Sequence, residues 1–326
     1  MRALKRLIAV LLVLVIVVPV AFGAMIYSGL AKMHDSSINT SDLKNLKYGG
    51  VEGIKNILLL GTDEREGETQ TRSDAMMILT IDTVHDSLKL TSLARDAYVT
   101  VPGHGKTKLT HAYAFGGPEL LIKTIEDNFR LDINDYARVN FESFMDIIDA
   151  LGGITVDVKQ SEINETNKFI NETYNWYKSK HPDVGPIEYI QNEGTQKLNS
   201  YQALSFSRIR KNDNAFERDR RQRDVMQAIM SGIKNAPKYK YPFLFKAIMP
   251  YMKTNMTPTQ MMGYGLKIIK LDNTDIKQME FPIPDDIHSF GGIYGRAGWV
   301  LRFKPSSVDI LHDFIFKDIQ YKGVNQ

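Results

Sequence analysis

An uncharged run of 21 residues near the N-terminus, 7–27 (LIAVLLVLVIVVPVAFGAMIY), constrains this chain more than any other stretch. About 20 apolar residues in a helix cross the hydrocarbon core of a bilayer, and Pro19 is tolerable in a membrane helix. Arg2, Lys5 and Arg6 precede the run, so the N-terminus is expected to stay in the cytoplasm. We therefore predict a single-pass protein of the cell membrane whose remaining residues are extracellular.

The alternative interpretation of this run is a cleaved signal peptide with AFGA as its cleavage site. The apolar region of a signal peptide is usually about 7–15 residues long, which favours an uncleaved anchor. Both interpretations export the rest of the chain, and export argues against nucleic acid as a partner. The chain contains no cysteine, which excludes thiol catalysis, cysteine-bound zinc and disulfides.

Three segments are expected along the chain. Residues 1–28 form the tail and anchor, residues 29–50 form a polar stalk ending in two glycines, and residues 51–326 form one folded domain. Apolar runs that alternate with amphipathic stretches predict an α/β fold, in which helices flank a central, mostly β-sheet core. The predicted strands include residues 57–60, 75–82, 87–96 and 154–158, and GGIYGRAGWVLRF is expected to complete the sheet.

Charged residues occur at the ends of the predicted strands. Asp63 follows ILLLG, Arg72 and Asp74 precede AMMILT, and Arg95 and its neighbouring aspartate follow LTSLA. Ligands of open α/β sheets bind in crevices outside the strand ends, so these positions suggest a site. Each residue taken alone is better explained by an ordinary polar loop.

A second basic cluster lies in FERDRRQRD, residues 216–224. Arg218 and Arg221 are three residues apart and share one face of a predicted helix, with Gln222 beside them. Arg220 and Arg223 lie on a different face, where we expect solvent or the acidic residues of the same segment. One arginine pair is therefore predicted to enter a site.

Upstream, Arg208 and Arg210 would point the same way on an extended segment. Arginine forks fit phosphate oxygens in a bidentate manner, and several converging forks fit a diphosphate. The carboxylates of Asp63 and Asp74 beside a diphosphate make sense if Mg²⁺ lies between them. From the residues alone we infer diphosphate binding, with phosphoryl transfer as one option.

Several stretches in this order resemble the LytR-CpsA-Psr family: NILLLGTD, TRSDAMMILTID, LTSLARDAYVTVPG, KLTHAYAFGG, IDALGGITVDV, LNSYQALSFSRIR and FERDRRQRDV. The resemblance implies an α/β domain with an apolar tunnel for a polyprenyl chain. It also implies transfer of a glycopolymer, such as teichoic acid or capsule, from undecaprenyl pyrophosphate to peptidoglycan. That reaction forms a phosphodiester and releases undecaprenyl phosphate.

The resemblance also assigns roles by position. The implied pyrophosphate-binding residues are Arg72, Arg95, Lys108, Arg208, Arg210, Arg218, Arg221 and Gln222. The implied Mg²⁺ ligands are Asp63 and Asp74, which with Arg95 form the catalytic set, and Asp213 matches an acidic position before the arginine helix. The chain departs from the family pattern at Ser200 and Glu217, where glycine is frequent, and at Arg223, where many relatives carry a second glutamine.

Two other functions fit parts of the pattern. A non-catalytic polyprenyl-phosphate-binding protein would share the tunnel and the arginines, and only turnover of a lipid-linked donor distinguishes it from a transferase. A transcription regulator would explain a basic helix, but the predicted anchor places the domain outside the cell and no helix-turn-helix pattern is evident.

Overall fold

The computed structural model describes residues 18–36, 48–62, 73–209, 215–237, 240, 243–244, 252–272 and 276–322. Within these residues the strands are β1 (Ile54–Thr62), β2 (Ser73–Asp82), β3 (Ser87–Leu93), β4 (Tyr98–Val101), β5 (Gly105–Lys108), β6 (Asp135–Asn140), β7 (Ile154–Val158), β8 (Gly194–Leu198), β9 (Lys253–Thr254), β10 (Ile276–Phe281), β11 (Ser289–Ile293) and β12 (Trp299–Phe303). The helices are α1 (Val18–Met33), α2 (Leu109–Phe129), α3 (Phe141–Leu151), α4 (Gln160–Lys180), α5 (Ser200–Arg208), α6 (Ala215–Asn235), α7 (Pro258–Ile269) and α8 (Pro305–Lys317).

A six-stranded mixed sheet forms the centre, in the order β10-β3-β2-β1-β6-β9. Strands β1, β2 and β3 form an antiparallel meander, while β6 pairs with β1 and β10 pairs with β3 in parallel. Every residue of β3 is buried, as expected for a strand covered on both faces. The predicted α/β fold with a helix-flanked central sheet is confirmed, although its strands differ from the predicted ranges by a few residues at their ends.

The prediction for GGIYGRAGWVLRF was wrong. This segment forms the separate β11–β12 hairpin, while β10 occupies the place beside β3. The reason is burial: Met279 and Phe281 of β10 are buried, whereas Ile293 and Trp299 at the turn of the hairpin are exposed. A hairpin with exposed apolar residues at its tip cannot supply a strand that is covered on both faces.

Helices cover both faces of the sheet. On one face, alternate residues of β1 and β2, including Leu58 and Ile78, pack with α2 and α8. On the other face, Leu59 and Leu79 pack towards α6 and α7. The period-two alternation of strand side chains therefore divides the core into two layers, and the candidate site lies in the second layer.

The N-terminal helix α1 joins the domain at its last turn. Leu30 and Met33 are buried, and the ring Nδ1 of His34 lies 3.1 Å from the carbonyl oxygen of Met256. The folded region therefore begins within the segment predicted to be a stalk. Most of the anchor predicted over residues 7–27 lies outside the described residues, and no helix within the described ranges is long and apolar enough to cross a membrane.

Candidate active site

A cavity of about 520 Å³ lies between the sheet and α6. Its walls come from β1, β2 and β6 on one side and from α3 to α6 on the other. Most lining side chains are apolar, and the polar ones are few. The strand residues in the lining are Leu59, Leu60, Gly61, Ala75, Met77, Leu79, Ala137, Val139 and Asn140. The cavity is thus similar to the apolar tunnel that the family resemblance implies.

Small residues at alternating strand positions leave room for this cavity. Gly61, Ala75 and Ala137 occupy lining positions of three neighbouring strands. A Cβ atom added at Gly61 would lie only 3.1 Å from the Cβ of Ala75, tighter than ordinary packing. Larger side chains at these positions would close the space between the strands and α6.

One face of α6 supplies both polar and apolar lining groups. Arg218 and Gln222 are four residues apart near the start of the helix, and Val225, Met226 and Ile229 continue the same face. Residues at this spacing lie above one another on a helix. The N-terminal end of a helix also carries a partial positive charge that favours anions. The cavity therefore has a cationic end near Arg218 and an apolar end further along α6.

Arg208 reaches the same cationic end from the last turn of α5. Its guanidinium lies 5.4 Å from the ring centroid of Phe169 and 3.3 Å from Oε1 of Glu172. Arg208, Phe169 and Arg218 all line the cavity. A ring beneath the guanidinium and a carboxylate beside it hold this arginine without burying it, so an anion can still approach.

Arg95 and Lys108 lie beside this cluster, outside the cavity lining. Arg95 is half-buried and comes two residues after the end of β3, and Nζ of Lys108 lies 2.7 Å from Oδ1 of Asp96. Arg95 and Asp96 are close enough to Asp219 to influence its pKa, and Asp219 adjoins Arg218 on α6. These charges therefore form one electrostatic group at the site.

Several predicted residues fall outside the described part of the chain: Asp63, Arg72, Arg210 and Asp213. The backbone of Asp74 is described but its side chain is not. Thr62 pairs with Ser73, with a register shift between residues 61 and 62, so the backbone of residue 74 lies opposite the end of β1. Asp63 directly follows Thr62 in the chain.

A family model described as the LytR_cpsA_psr family matches residues 20–297. The chain belongs to the LytR-CpsA-Psr family. A curated relative, the polyisoprenyl-teichoic acid–peptidoglycan teichoic acid transferase TagU of Bacillus mycoides (strain KBAB4), is 34% identical over 275 residues, which are 81% of this chain and 81% of the relative. The resemblance inferred from the sequence motifs is therefore confirmed.

Two solved structures share the fold of this LytR-CpsA-Psr protein. TagT bound to LI-WTA has a TM-score of 0.66 at 24% identity and covers 87% of this chain and 98% of that chain. The LytR-CPS2A-psr family protein YwtF (TagT) with bound octaprenyl pyrophosphate lipid has a TM-score of 0.62 at 23% identity, with the same coverage. At these identities the likeness establishes the fold.

Arg221 lies in different surroundings from Arg218, and its predicted phosphate contact stays a prediction. In this LytR-CpsA-Psr chain its side chain is only 1% exposed and is absent from the cavity lining. Its guanidinium donates to Oε1 of Glu162 at 3.2 Å and to the carbonyl oxygen of Ile209 at 3.0 Å. Arg221 thus links α6 to α4 and to the end of α5.

The expectation that Arg223 meets solvent was wrong, whereas its other alternative, an acidic neighbour on α6, agrees with the charge of Arg223 lowering the pKa of Asp219. Arg223 is 8% exposed, and its guanidinium donates to Oε2 of Glu280 from both terminal nitrogens, at 3.2 and 3.1 Å, and to Oγ of Ser92. The helix turns this face towards the sheet, so Arg223 meets β3 and β10. The expectation for Arg220 was correct, because it pairs with Glu217 at 3.0 Å.

Asp219 is a site residue that the sequence analysis missed. Its carboxylate is buried, and Oδ1 lies 3.7 Å from Nη2 of Arg218. Burial raises the pKa of Asp219 to about 6, although Arg218 and Arg223 oppose that rise. One of three carboxylates among four arginines resembles ordinary charge balancing in a sequence. Its burial depends on contacts between α6 and the sheet, which no local pattern reveals.

Asn140 was also missed. It ends β6 opposite Thr62 and lines the cavity. The rule that located Asp63, namely a polar residue at the end of an apolar strand, would have found it, but β6 (DYARVN) is too polar to be recognised as a buried strand.

Proposed function

We propose that this protein transfers a glycopolymer from a polyprenyl pyrophosphate to peptidoglycan. A hydroxyl oxygen of the acceptor glycan attacks the phosphorus next to the polymer, and the bond from that phosphorus to the bridging oxygen breaks. Undecaprenyl phosphate leaves, a phosphodiester joins polymer and peptidoglycan, and a base receives the hydroxyl proton. The observation that carries this proposal is the apolar cavity that ends in Arg208, Arg218 and Gln222.

The chemistry of the donor fits the two ends of the cavity. A polyprenyl chain is apolar and matches the lining from Val225 to Ile233, while a pyrophosphate matches the guanidinium groups. The transferase name of the Bacillus mycoides relative and the octaprenyl pyrophosphate lipid bound in the structural relative support the same assignment. Phosphoryl transfer depends chiefly on positioning and charge neutralisation, so arginines with few acid–base groups are sufficient.

The proposed roles divide among the basic residues. Arg208 and Arg218 bind the pyrophosphate from two sides, and the amide of Gln222 donates a further hydrogen bond. Arg95, with Lys108 behind it, neutralises charge on the leaving phosphate from the end of β3. Arg72 and Arg210 are proposed to complete the set, by position in the family motifs.

We also propose that Mg²⁺ is held by Asp63 and Asp74. Asp63 follows Thr62 in the chain, the backbone of Asp74 lies opposite the end of β1, and the hydroxyl Oγ1 of Thr62 is buried without a hydrogen-bond partner among the described residues. Carboxylate and hydroxyl oxygens are donors that suit Mg²⁺. When bound, the ion would neutralise charge on the phosphate oxygens. Either aspartate remains a candidate for the base that accepts the hydroxyl proton.

The proposed location is the outer face of the cell membrane, with the N-terminus in the cytoplasm and the described domain outside. The uncharged run over residues 7–27 and the basic residues before it support this topology. Both substrates are then accessible, because the donor is a membrane lipid and peptidoglycan lies outside the membrane.

The test is transfer by the purified full-length protein, with a defined lipid-linked donor and a peptidoglycan acceptor. We expect a polymer–peptidoglycan phosphodiester and free undecaprenyl phosphate in equal amounts. Binding of the donor without either product would favour the polyprenyl-phosphate-binding alternative. No donor binding at all would contradict the assignment of the cavity.

A second experiment addresses the metal. Chelation with EDTA is expected to lower transfer, Mg²⁺ is expected to restore it, and Asp74→Asn should weaken that response. Full transfer in EDTA would mean that the aspartates orient the arginines instead.

A further inference from the structure

Helix α7 carries apolar residues on two faces, and only one of them is covered. On the inner face Met261, Tyr264 and Ile268 pack against the sheet together with Leu79 and Met230. None of the helix residues is fully buried. An inner face of this size is enough to hold the helix in place, so the apolar residues on the outer side need another explanation.

The outer face is a stripe formed by Met262, Leu266 and Ile269, which are 45%, 57% and 79% exposed. Their spacing of four and three residues places them along one side of the helix. Scattered exposed apolar residues are ordinary on soluble proteins, whereas a contiguous row marks a contact with a partner or a membrane. Lys267 and Lys270 are exposed next to the stripe.

The position of α7 identifies the partner. Helix α1, which continues the uncharged run over residues 7–27, packs against α7. Just after α1, the backbone amide of Asp35 donates to the carbonyl oxygen of Thr254 at 2.7 Å, and Thr254 ends β9 shortly before α7 begins. The stripe therefore lies beside the point where the chain leaves the domain towards its predicted membrane anchor.

The inner face of α7 adjoins the apolar end of the cavity. Leu59, Leu79 and Met230 line the cavity and belong to the same cluster as the inner residues of α7. Along both β2 and α6 these positions lie at the opposite end from Arg218. Helix α7 thus lies between the apolar end of the cavity and the surface of the domain.

We propose that α7 is a membrane-docking helix, whose outer stripe Met262, Leu266 and Ile269 lies in the boundary between headgroups and acyl chains. This inference rests on the proposed function, because it directs the apolar end of the cavity towards the bilayer that holds the donor. Lys267 and Lys270 reach the lipid phosphates while their methylene stems cover apolar surface. The helix lies on the bilayer, and the anchor crosses it.

The absence of cysteine allows a direct test in the full-length protein. Ile269→Cys and Ile293→Cys form a matched pair, because the native side chains are 79% and 80% exposed, and Ile293 lies on the β11–β12 hairpin. That hairpin is attached beside Ala97, beyond the opposite end of β3 from α7. Each variant is labelled with an environment-sensitive fluorophore and placed in vesicles of phosphatidylcholine and phosphatidylglycerol.

We expect the label at position 269 to show blue-shifted emission and quenching by lipids brominated on their acyl chains, and the label at 293 to show neither. Water-like emission at 269 would overturn the proposal. Blue-shifted emission at 269 that is not quenched by brominated lipids but increases with protein density would indicate contact with a second copy of the chain. That result would also overturn the proposal.

Transfer assays distinguish a failure of the docking helix from a failure of the proposed reaction. Leu266→Glu places a charge in the stripe and should lower transfer roughly tenfold when a long-chain donor is embedded in vesicles. With a short-chain donor in detergent, Leu266→Glu should transfer at the rate of the native protein. The control Ile293→Glu should transfer at the native rate in both assays. Native transfer by Leu266→Glu in vesicles would reject the docking helix. Failure of the native protein in both assays would reject the proposed function instead.

Discussion

Arg218 and Arg221 lie one helical turn apart on α6, yet their guanidinium groups have different surroundings. Arg218 lines the cavity, whereas Arg221 is buried against Glu162 and the carbonyl of Ile209. If Arg218 binds the donor pyrophosphate, Arg218→Ala removes a charge-assisted contact worth about 1.5–3 kcal/mol. Transfer should therefore fall roughly ten- to a hundredfold. Kinetics with a defined donor, alongside thermal unfolding, measure both effects.

Arg221→Ala is the internal comparison for that variant. Removing one partner of a buried ion pair costs about 3–5 kcal/mol, so this variant should lose stability first. Arg218→Ala should lose less stability than Arg221→Ala, because Arg218 lies 3.7 Å from the Asp219 carboxylate, whereas Arg221 makes two hydrogen bonds. Equal, mild losses of transfer in both variants with unchanged stability would mean that the cluster acts as a generic basic surface.

Asp219 makes stability depend on pH. Its pKa is raised from 3.8 to about 6, so the native state holds this proton more tightly than the unfolded chain does. The free energy of unfolding should therefore fall as pH rises from about 4 to about 6, by about 3 kcal/mol at most. Asn cannot titrate, so the free energy of unfolding of Asp219→Asn should not show this fall. The difference in stability between the variant and the native protein should therefore shift in favour of the variant as pH rises from about 4 to about 6. Denaturant unfolding at both ends of the window would check this, and parallel stability curves would contradict it.

At the scale of elements, the pair Arg223–Glu280 fastens α6 to β10 and, through Ser92, to β3. Burial raises the pKa of Glu280 to about 8, although Arg223 opposes that rise. Above that pH, Glu280→Gln leaves the buried guanidinium without its carboxylate and should cost about 3–5 kcal/mol. The double variant Arg223→Gln with Glu280→Gln replaces the charges by amides and should recover much of that loss. A double-mutant cycle in denaturant measures the coupling, and additive effects of the two substitutions would contradict a direct pair.

The elements also indicate what the sequence alone can predict. Strands β1 and β2 were predictable because each contains an apolar run, and β3 was predictable because it follows β2 after a short polar turn. Strand β10 was not, because IKQMEF carries three polar residues among six, and its partner β3 is far away in the chain. The hairpin β11–β12 looked like a strand of the central sheet because WVLRF is largely apolar, although Ile293 and Trp299 are exposed.

The same limit applies to the candidate site. The spacing of Arg218 and Gln222 predicted a shared face, and the described structure places both on the cavity. Helical spacing does not indicate which face meets the sheet, and Arg223 was misjudged for that reason. Its partner Glu280 is 57 residues away, and such a pairing depends on the tertiary fold.

For the whole molecule, the proposed topology makes a prediction that is independent of the chemistry. A reporter that is active only outside the cytoplasm, fused after Gln326, should be active, and a reporter that requires the cytoplasm should be silent. Replacing Arg2, Lys5 and Arg6 with neutral residues should weaken that orientation. Activity of the cytoplasmic reporter on the native chain would contradict the assignment of an extracellular site.

Helix α6 holds both ends of the proposed donor. Arg218 and Ile233 line opposite ends of the cavity on one continuous helix, about 22 Å apart at 1.5 Å per residue. The position of the pyrophosphate is therefore coupled to the depth at which the tail is seated. Nucleotide-linked sugars also present a diphosphate to arginines, but they have no tail to occupy the far end. We therefore expect this cavity to bind lipid-linked glycans in preference to nucleotide-linked ones without contacting the glycan.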